Sequence, residues 1–280
     1  MSNSKSLPPV RSIVTRSVWS NNLESEFELI RSIIHEFPLI SMDTEFPGVV
    51  IHSDPADPKI RRTRLETNYF VLKANVDRLK LIQVGLTLAD EEGNLPDLGT
   101  NNVYIWEFNF RDFDVAHDPY ADSSIVLLKR QGIDFEYNRD NGIDSVRFAQ
   151  LLMGSGLVCS DCISWVTFHS AYDFGYLVKI LTRRALPEDL LGFLNYVRLF
   201  FGPMVFDVKY LMKYCPNLHG GLDRVCEILN VDREIGKSHQ AGSDSLVTLR
   251  AFRKMREVYF SNTSLEVYAG VLFGLEIQSS

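Results

Sequence analysis

Two acidic residues, Asp43 and Glu45, stand two positions apart in residues 41–48. They follow a mainly apolar run at residues 37–42, whose composition predicts a buried strand. Because alternate residues of a strand point to the same face, both carboxylates should project to one side. Neighbouring carboxylates are costly to bury together unless a cation lies between them, and a divalent metal ion is the simplest such cation.

Two further acids and a histidine lie at predicted element boundaries. Asp173 follows a predicted strand and opens a helix, Asp244 opens the last long helix, and His239 lies five residues before Asp244. Loops at strand ends are where α/β sheets place their sites. Carboxylate ligands select Mg²⁺ or Mn²⁺ over zinc, and two such ions about 4 Å apart would hold the attacking and leaving oxygens of a phosphodiester. An imidazole at the rim is suited to take a proton from water.

Each of these residues also has an ordinary structural interpretation. Asp173 and Asp244 each suit a helix N-cap, Glu45 suits an exposed strand end, and His239 suits a loop hydrogen bond. Position by position these interpretations are favoured, so the residues alone leave the choice open.

Other candidate residues are predicted to be structural. Asp207 ends a strand before a helix, and Asp223 lies at the start of another helix, so both are interpreted as caps or structural acids. An aromatic group could stack on bases but is more typical of a core. Its members are Tyr69, Phe70, Tyr104, Trp106 and Phe108.

Periodicity predicts a single α/β domain with a mixed five-stranded sheet flanked by helices. Three strands with short connections indicate antiparallel pairing, and strands alternating with helices follow. The predicted strands are residues 38–46, 79–88, 103–110, 163–169 and 204–207. Residues 22–272 are assigned to the domain, with a disordered tail at 1–21 and a short tail at 273–280.

Composition narrows the class of protein. The net charge of −7 argues against a broad nucleic-acid surface, but not against an enzyme that holds a few nucleotides through metal ions. The chain has no apolar run of about 18 residues and no secretory signal, so no membrane association is expected. The four cysteines are predicted to be buried thiols in a reducing compartment, because Cys159-x-x-Cys162 lacks the second half of a zinc site.

The spacing of these acids resembles that of the DEDD exonuclease superfamily, in its His-bearing branch. Longer strings resemble one subfamily, the Caf-type (Pop-like) poly(A) ribonucleases, which are catalytic deadenylase subunits of the Ccr–Not complex. The strings occupy residues 41–50, 75–80, 168–181, 210–213 and 239–246, and the resemblance extends from about residue 22 to residue 272.

The resemblance implies a ribonuclease-H-like fold and 3′-to-5′ removal of poly(A) from mRNA, releasing 5′-AMP. It implies two divalent cations, Mg²⁺ or Mn²⁺, held by Asp43, Glu45, Asp173 and Asp244. Asp43 would bridge the ions, with Glu45 and Asp244 on one side and Asp173 on the other. His239 would orient or deprotonate the attacking water.

The implied partners are poly(A) RNA, a Ccr–Not scaffold subunit and a second deadenylase, in the cytoplasm and nucleus. Two alternatives stay open: a DEDD exonuclease acting on other RNA or DNA 3′ ends, and a subunit whose main role is to bridge a scaffold and another nuclease.

Overall fold

A six-stranded mixed sheet forms the centre of the computed structural model, which describes residues 11–53 and 63–277. The spatial order is β1-β4-β3-β2-β5-β6. The strands are β1 (Ile13–Val18), β2 (Leu39–Glu45), β3 (Gln83–Ala89), β4 (Val103–Asn109), β5 (Ser164–Thr167) and β6 (Val205–Asp207). Pairing is antiparallel on both sides of β3 and parallel elsewhere, so the carboxyl ends of the other five strands share one edge.

Helices cover both faces of this sheet. They are α1 (Leu23–Ile33), α2 (Arg64–Arg78), α3 (Asp122–Gln131), α4 (Phe135–Asn141), α5 (Ser145–Met153), α6 (Ala171–Thr182), α7 (Leu190–Phe201), α8 (Val208–Leu211), α9 (Leu222–Leu229) and α10 (Ala241–Tyr259). Short 3₁₀ helices at Met212–Tyr214 and Leu265–Tyr268 complete the described elements.

The two faces have separate hydrophobic cores. The larger core joins buried residues of β2, β3 and β4 to helices α1, α2, α5, α6 and α7. A second core joins β5 and β6 to α8, α9 and α10. Alternation along β2 explains the split, because Ile40 and Met42 enter the larger core and the alternate residues Ser41 and Asp43 face α10.

The sheet has one strand more than the sequence predicted. Strand β1 lies inside the segment assigned to a disordered N-terminal tail, so that boundary was wrong for Ile13–Val18. β1 pairs in parallel with β4, and the Arg16 guanidinium on it forms two hydrogen bonds, of 2.6 and 2.7 Å, with Glu26 of α1. The buried Trp106 indole of β4 donates to the same carboxylate at 3.0 Å, which fixes the edge strand to the domain.

The C-terminal boundary was also set too early. Residue Val271 forms a parallel bridge with Phe206 of β6, and Leu275 is buried. Glu276 pairs with Lys213. The segment 270–276 therefore extends the sheet edge beyond β6, and of the predicted C-terminal tail only residues 278–280 lie outside the described residues.

The prediction that the cysteines are buried thiols is correct for two of the four. Cys215 and Cys226 are buried free thiols as predicted, but Cys159 and Cys162 are exposed because their loop follows α5 at the surface. None of the helices in residues 11–53 and 63–277 combines the length and apolar character needed to cross a membrane.

Candidate active site

Strand β2 presents Asp43 and Glu45 to the face covered by α10. Asp43 lies opposite Gly85 of β3, and Glu45 lies opposite Gln83. Directly opposed residues share a face of the sheet. The sequence prediction that both carboxylates project to one side is therefore confirmed.

Gly85 sets how closely α10 approaches these acids. A methyl group at this position would overlap the backbone of Ala241 and Gly242, the first residues of α10. A glycine inside a strand often marks such a close backbone approach. Because Gly85 is opposite Asp43, the missing side chain brings the first turn of α10, and Asp244 with it, over the β2 acids.

Asp244 lies in the first turn of α10 and is nearly buried. The backbone N–H of His239 donates to Asp244 Oδ2 at 2.8 Å, and Arg233 Nη1 lies 2.6 Å from Oδ1. His239 has a left-handed backbone, with φ of 61°, and an exposed side chain. This loop therefore places an imidazole at the solvent side of the acids and a guanidinium beside them.

Asp173 lies in the first turn of α6, just beyond the carboxyl end of β5. Its Oδ1 accepts a 2.6 Å hydrogen bond from the Thr44 hydroxyl, which points to the opposite face of β2 from Asp43. The N-cap residues of α6 and α10 are Ser170 and Gln240. The N-cap interpretation is therefore wrong for both Asp173 and Asp244.

The electrostatics show that the carboxylates converge. Burial, and then repulsion by Asp244, Asp173 and Glu45, raises the pKa of Asp43 well above its usual range. Burial raises the pKa of Glu45 in the same way, with repulsion from Asp244 and Asp173 next. Burial also raises the pKa of Asp173 to about 7. For Asp244, burial raises the pKa against the opposing effect of Arg233. Asp43 and Glu45, which Asp173 and Asp244 repel, therefore form with them a site that favours a cation.

The donor atoms suit a hard divalent ion. Atoms of Glu45, His239 and Asp244 all lie within 4.8 Å of one another. Asp43 and Asp173 are outside that tight group, but Asp173 and Asp244 both raise the pKa of Asp43, so the acids lie close enough to interact electrostatically. Three of the carboxylate side chains are nearly buried, since Glu45, Asp173 and Asp244 are 8%, 7% and 6% exposed. Buried oxygen donors of this kind fit Mg²⁺ or Mn²⁺.

The acids predicted to be structural do have structural contacts. Asp207 caps α8 and accepts further backbone N–H groups. Asp223 binds Arg233 at 2.7 Å and the Ser238 hydroxyl at 2.8 Å. Within the aromatic group, Trp106 and Phe108 are fully buried, so the core interpretation is confirmed for these strand residues.

Four residues near the site were not identified from sequence. Thr44 contacts Asp173, Arg233 contacts Asp244, and Gly85 admits α10. Glu107 of β4 accepts from the N–H of Gly242 at 3.3 Å and raises the pKa of Glu45. Of these, Gly85 had a sequence signal, because a glycine between Val84 and Leu86 interrupts a strongly apolar strand.

Comparison with known proteins agrees with this geometry. A family profile described as CAF1 family ribonuclease matches residues 18–150. The chain is 53% identical over 269 residues to the probable CCR4-associated factor 1 homolog 7 of Arabidopsis thaliana, covering 96% of this chain and 95% of that protein. The chain belongs to the CAF1 family of ribonucleases. It is also 44% identical over 261 residues to the poly(A) ribonuclease pop2 of Schizosaccharomyces pombe, covering 93% of this chain and 74% of that protein.

Solved structures of CAF1-family proteins show the same fold. S. pombe Pop2p in its Mg²⁺- and Mn²⁺-bound form matches with a TM-score of 0.86 at 43% identity, covering 93% of this chain and 99% of that one. CAF1 co-crystallised with the yeast NOT1 MIF4G domain matches with a TM-score of 0.75 at 31% identity. The match covers 95% of this chain and 99% of that one. Escherichia coli exonuclease I in complex with a dT13 oligonucleotide shares the fold alone, with a TM-score of 0.52 at 12% identity. That match covers 80% of this chain and 41% of the other. The ribonuclease-H-like α/β fold is thus confirmed.

Proposed function

We propose that this CAF1-family chain is a 3′-to-5′ exoribonuclease that shortens poly(A) tails and releases 5′-AMP. The observation that carries the proposal is a group of four buried carboxylates from β2, α6 and α10, in which Asp173 and Asp244 repel both Asp43 and Glu45 and raise their pKa values. The relatives support the substrate, since one that covers 93% of this chain is named a poly(A) ribonuclease.

We infer that Asp43, Glu45, Asp173 and Asp244 hold two divalent cations, Mg²⁺ or Mn²⁺. The S. pombe relative, whose structure is described as Mg²⁺- and Mn²⁺-bound, supports this assignment. When bound, such ions stabilise the attacking and leaving oxygens of an in-line phosphodiester displacement.

The protein's own groups would act around those ions. Thr44 orients the Asp173 carboxylate through its 2.6 Å hydrogen bond, and the His239 N–H orients Asp244. The exposed His239 imidazole would accept the proton of the attacking water, since its neutral ring carries an unprotonated nitrogen at the solvent side of the acids. The Arg233 guanidinium favours the ionised form of Asp244 and so opposes the burial that raises the pKa of that carboxyl.

The direct test is shortening of a labelled oligo(A) with Mg²⁺ or Mn²⁺, comparing the wild type with Asp43→Asn. We expect stepwise 3′ shortening that EDTA abolishes and that the substitution reduces by several orders of magnitude. Shortening that persists in EDTA, or in the Asp43→Asn protein, would contradict the proposal. Parallel reactions with oligo(C) and single-stranded DNA distinguish a poly(A) enzyme from a DEDD exonuclease with other substrates.

We further propose that the chain works as a Ccr–Not subunit, bound to a scaffold subunit and a second deadenylase, in the cytoplasm and nucleus. The complex of a yeast CAF1 with the NOT1 MIF4G domain supports the scaffold contact. Co-purification with the MIF4G domain of the same organism's scaffold protein tests it, and imaging of a tagged chain tests the location. A tagged chain whose four-acid variant still performs every cellular function would instead favour the bridging role.

A further inference from the structure

Asp207, at the end of β6, is a fully buried carboxylate surrounded by backbone donors. Its Oδ1 accepts from the N–H of His169 at 2.9 Å and from that of Lys209 at 2.9 Å. Its Oδ2 accepts from the N–H of Phe273 at 3.0 Å and from that of Ser170 at 3.3 Å. One carboxylate therefore connects three separate segments of the chain.

Capping of α8 accounts for only one of these bonds. The Lys209 N–H belongs to α8, whereas the other three donors lie in the β5–α6 turn and the C-terminal segment 270–276. A helix of four residues gains little from a cap that requires a fully buried charge. The remaining bonds point to a role in the turn that precedes α6.

That turn leads directly to Asp173. His169 has a left-handed backbone, with φ of 59°, which costs a non-glycine residue free energy unless neighbouring contacts hold it. Ser170 is the N-cap residue of α6, and its hydroxyl accepts from the Thr167 hydroxyl at 2.7 Å. Asp173 follows three residues later, and the Asp207 charge is close enough to raise its pKa.

We propose that Asp207 is a positioning residue that holds the β5–α6 turn, and through it Asp173, in place to bind metal. This rests on the proposed function, since it assigns Asp173 to the metal site. The Phe273 bond makes the C-terminal segment part of the same support. Asp207 does not touch the ion or the RNA in this proposal.

The test is Mn²⁺ binding to the whole chain with Asp207→Asn. An amide has one acceptor oxygen, so one of the two pairs of backbone donors loses its partner. We expect about a tenfold loss of Mn²⁺ affinity at the ion that Asp173→Asn also weakens, in line with losses at residues that orient metal ligands. Faster amide exchange should accompany it at whichever of His169 and Ser170 loses its acceptor oxygen. Leu23→Ala, a buried α1 variant, is the control for lost stability and should bind Mn²⁺ like the wild type.

Several results would overturn the proposal. Unchanged Mn²⁺ affinity in a folded Asp207→Asn protein would assign Asp207 to folding alone. If that variant does not fold, Asp207→Ser keeps a cap oxygen for α8 while releasing the turn, and it should show the same loss. Unprotected His169 and Ser170 amides in the wild type would contradict the proposal without any variant. A wild type that binds no Mn²⁺ would instead contradict the proposed function.

Discussion

Gly85 of β3 lies directly beneath Ala241, the first residue of α10, with no room between them for a methyl group. This contact determines how near Asp244 comes to Asp43, because Gly85 is the cross-strand partner of Asp43. The proposed metal site therefore depends on a residue that has no side chain.

Gly85→Ala should reduce activity far more than a typical surface substitution. The new methyl group must push α10 outward, which costs about 1–3 kcal/mol of unfolding free energy. A shift of about 1 Å at the acids would lower kcat about a hundredfold. Chemical denaturation and oligo(A) kinetics measure the two effects.

Gly221→Ala is the matched control for that substitution. Gly221 has a negative φ and no neighbouring atom within 4 Å of an added methyl group. Its variant should keep wild-type kcat. Equal kinetics for Gly85→Ala and wild type would show that α10 adjusts without moving Asp244.

Thr44→Val should weaken catalysis while preserving the shape of β2. The substitution removes the hydroxyl that donates to Asp173 Oδ1 at 2.6 Å. Because that bond favours the ionised carboxylate, its loss raises the pKa of Asp173 further and leaves the side chain less well oriented. We expect kcat at neutral pH to fall about tenfold, measured under saturating Mn²⁺.

Thr248→Val separates this effect from a general response to the lost hydroxyl. The Thr248 hydroxyl on α10 is buried and has no hydrogen-bond partner among the described residues. Its removal should leave kcat unchanged. The unfolding free energy should stay the same or rise by up to about 1 kcal/mol, because a buried hydroxyl without a partner destabilises the folded state. A larger kinetic loss at Thr248 than at Thr44 would contradict the role assigned to Thr44.

The metal-free protein should lose stability as the pH rises through the titration range of Asp173. Its folded pKa, about 7, lies above the ordinary value of 3.8, so the native state binds the proton more tightly than the unfolded state does. The linkage sign is then negative: the contribution of Asp173 to stability falls from about pH 4 to about pH 7. Melting temperatures in EDTA across that range measure it.

Asp173→Asn should reduce this pH dependence, because it removes one of the four buried carboxyl groups whose pKa values are raised. The control is Asp144→Asn, which removes a carboxylate whose pKa Arg111 holds below its usual value. This control should leave the slope of stability against pH unchanged between about pH 5 and about pH 7. Saturating Mn²⁺ should suppress the wild-type slope. A metal-free wild type that gains stability over the same pH range would contradict the raised pKa.

Arg233→Met should shift the acid limb of the activity profile to higher pH. The Arg233 charge opposes the burial that raises the pKa values of Asp43 and Asp244, so its removal lets both rise. We expect a shift of about one pH unit, with weaker Mn²⁺ binding at pH 6 than at pH 8, since an adjacent opposite charge moves a pKa by about 1–3 units.

Arg250→Met is a suitable comparison for Arg233→Met. Arg250 lies on α10 and pairs with Glu234 at 2.9 Å, away from the four acids. Its variant should keep the wild-type pH profile. If both variants shift the profile equally, the effect belongs to the net charge of the protein and not to the Arg233–Asp244 contact.

The sequence predicted the parts of the site that depend on local pattern. Asp43 and Glu45 share a face because a strand alternates, and Asp173 and Asp244 lie at helix starts that periodicity locates to within a few residues. Their convergence was inferred from family resemblance, because no local rule specifies which loops meet at one sheet edge.

The parts that sequence did not predict arise from tertiary packing. Arg233 reaches Asp244 only because the loop after α9 folds back on α10. Strand β1 is short and is held by Glu26 of α1 and by pairing with β4, contacts that its own six residues do not reveal. Cys159 and Cys162 were expected to be buried, but exposure of a loop cysteine depends on the surface around it.

The most direct test of the central claim is anomalous scattering from a crystal of this protein soaked in Mn²⁺. We expect two manganese peaks bound by carboxylate oxygens of Asp43, Glu45, Asp173 and Asp244. Both peaks should be diminished in crystals of the Asp43→Asn protein. Manganese located elsewhere, or a site that Asp173 and Asp244 do not reach together with Asp43, would contradict it.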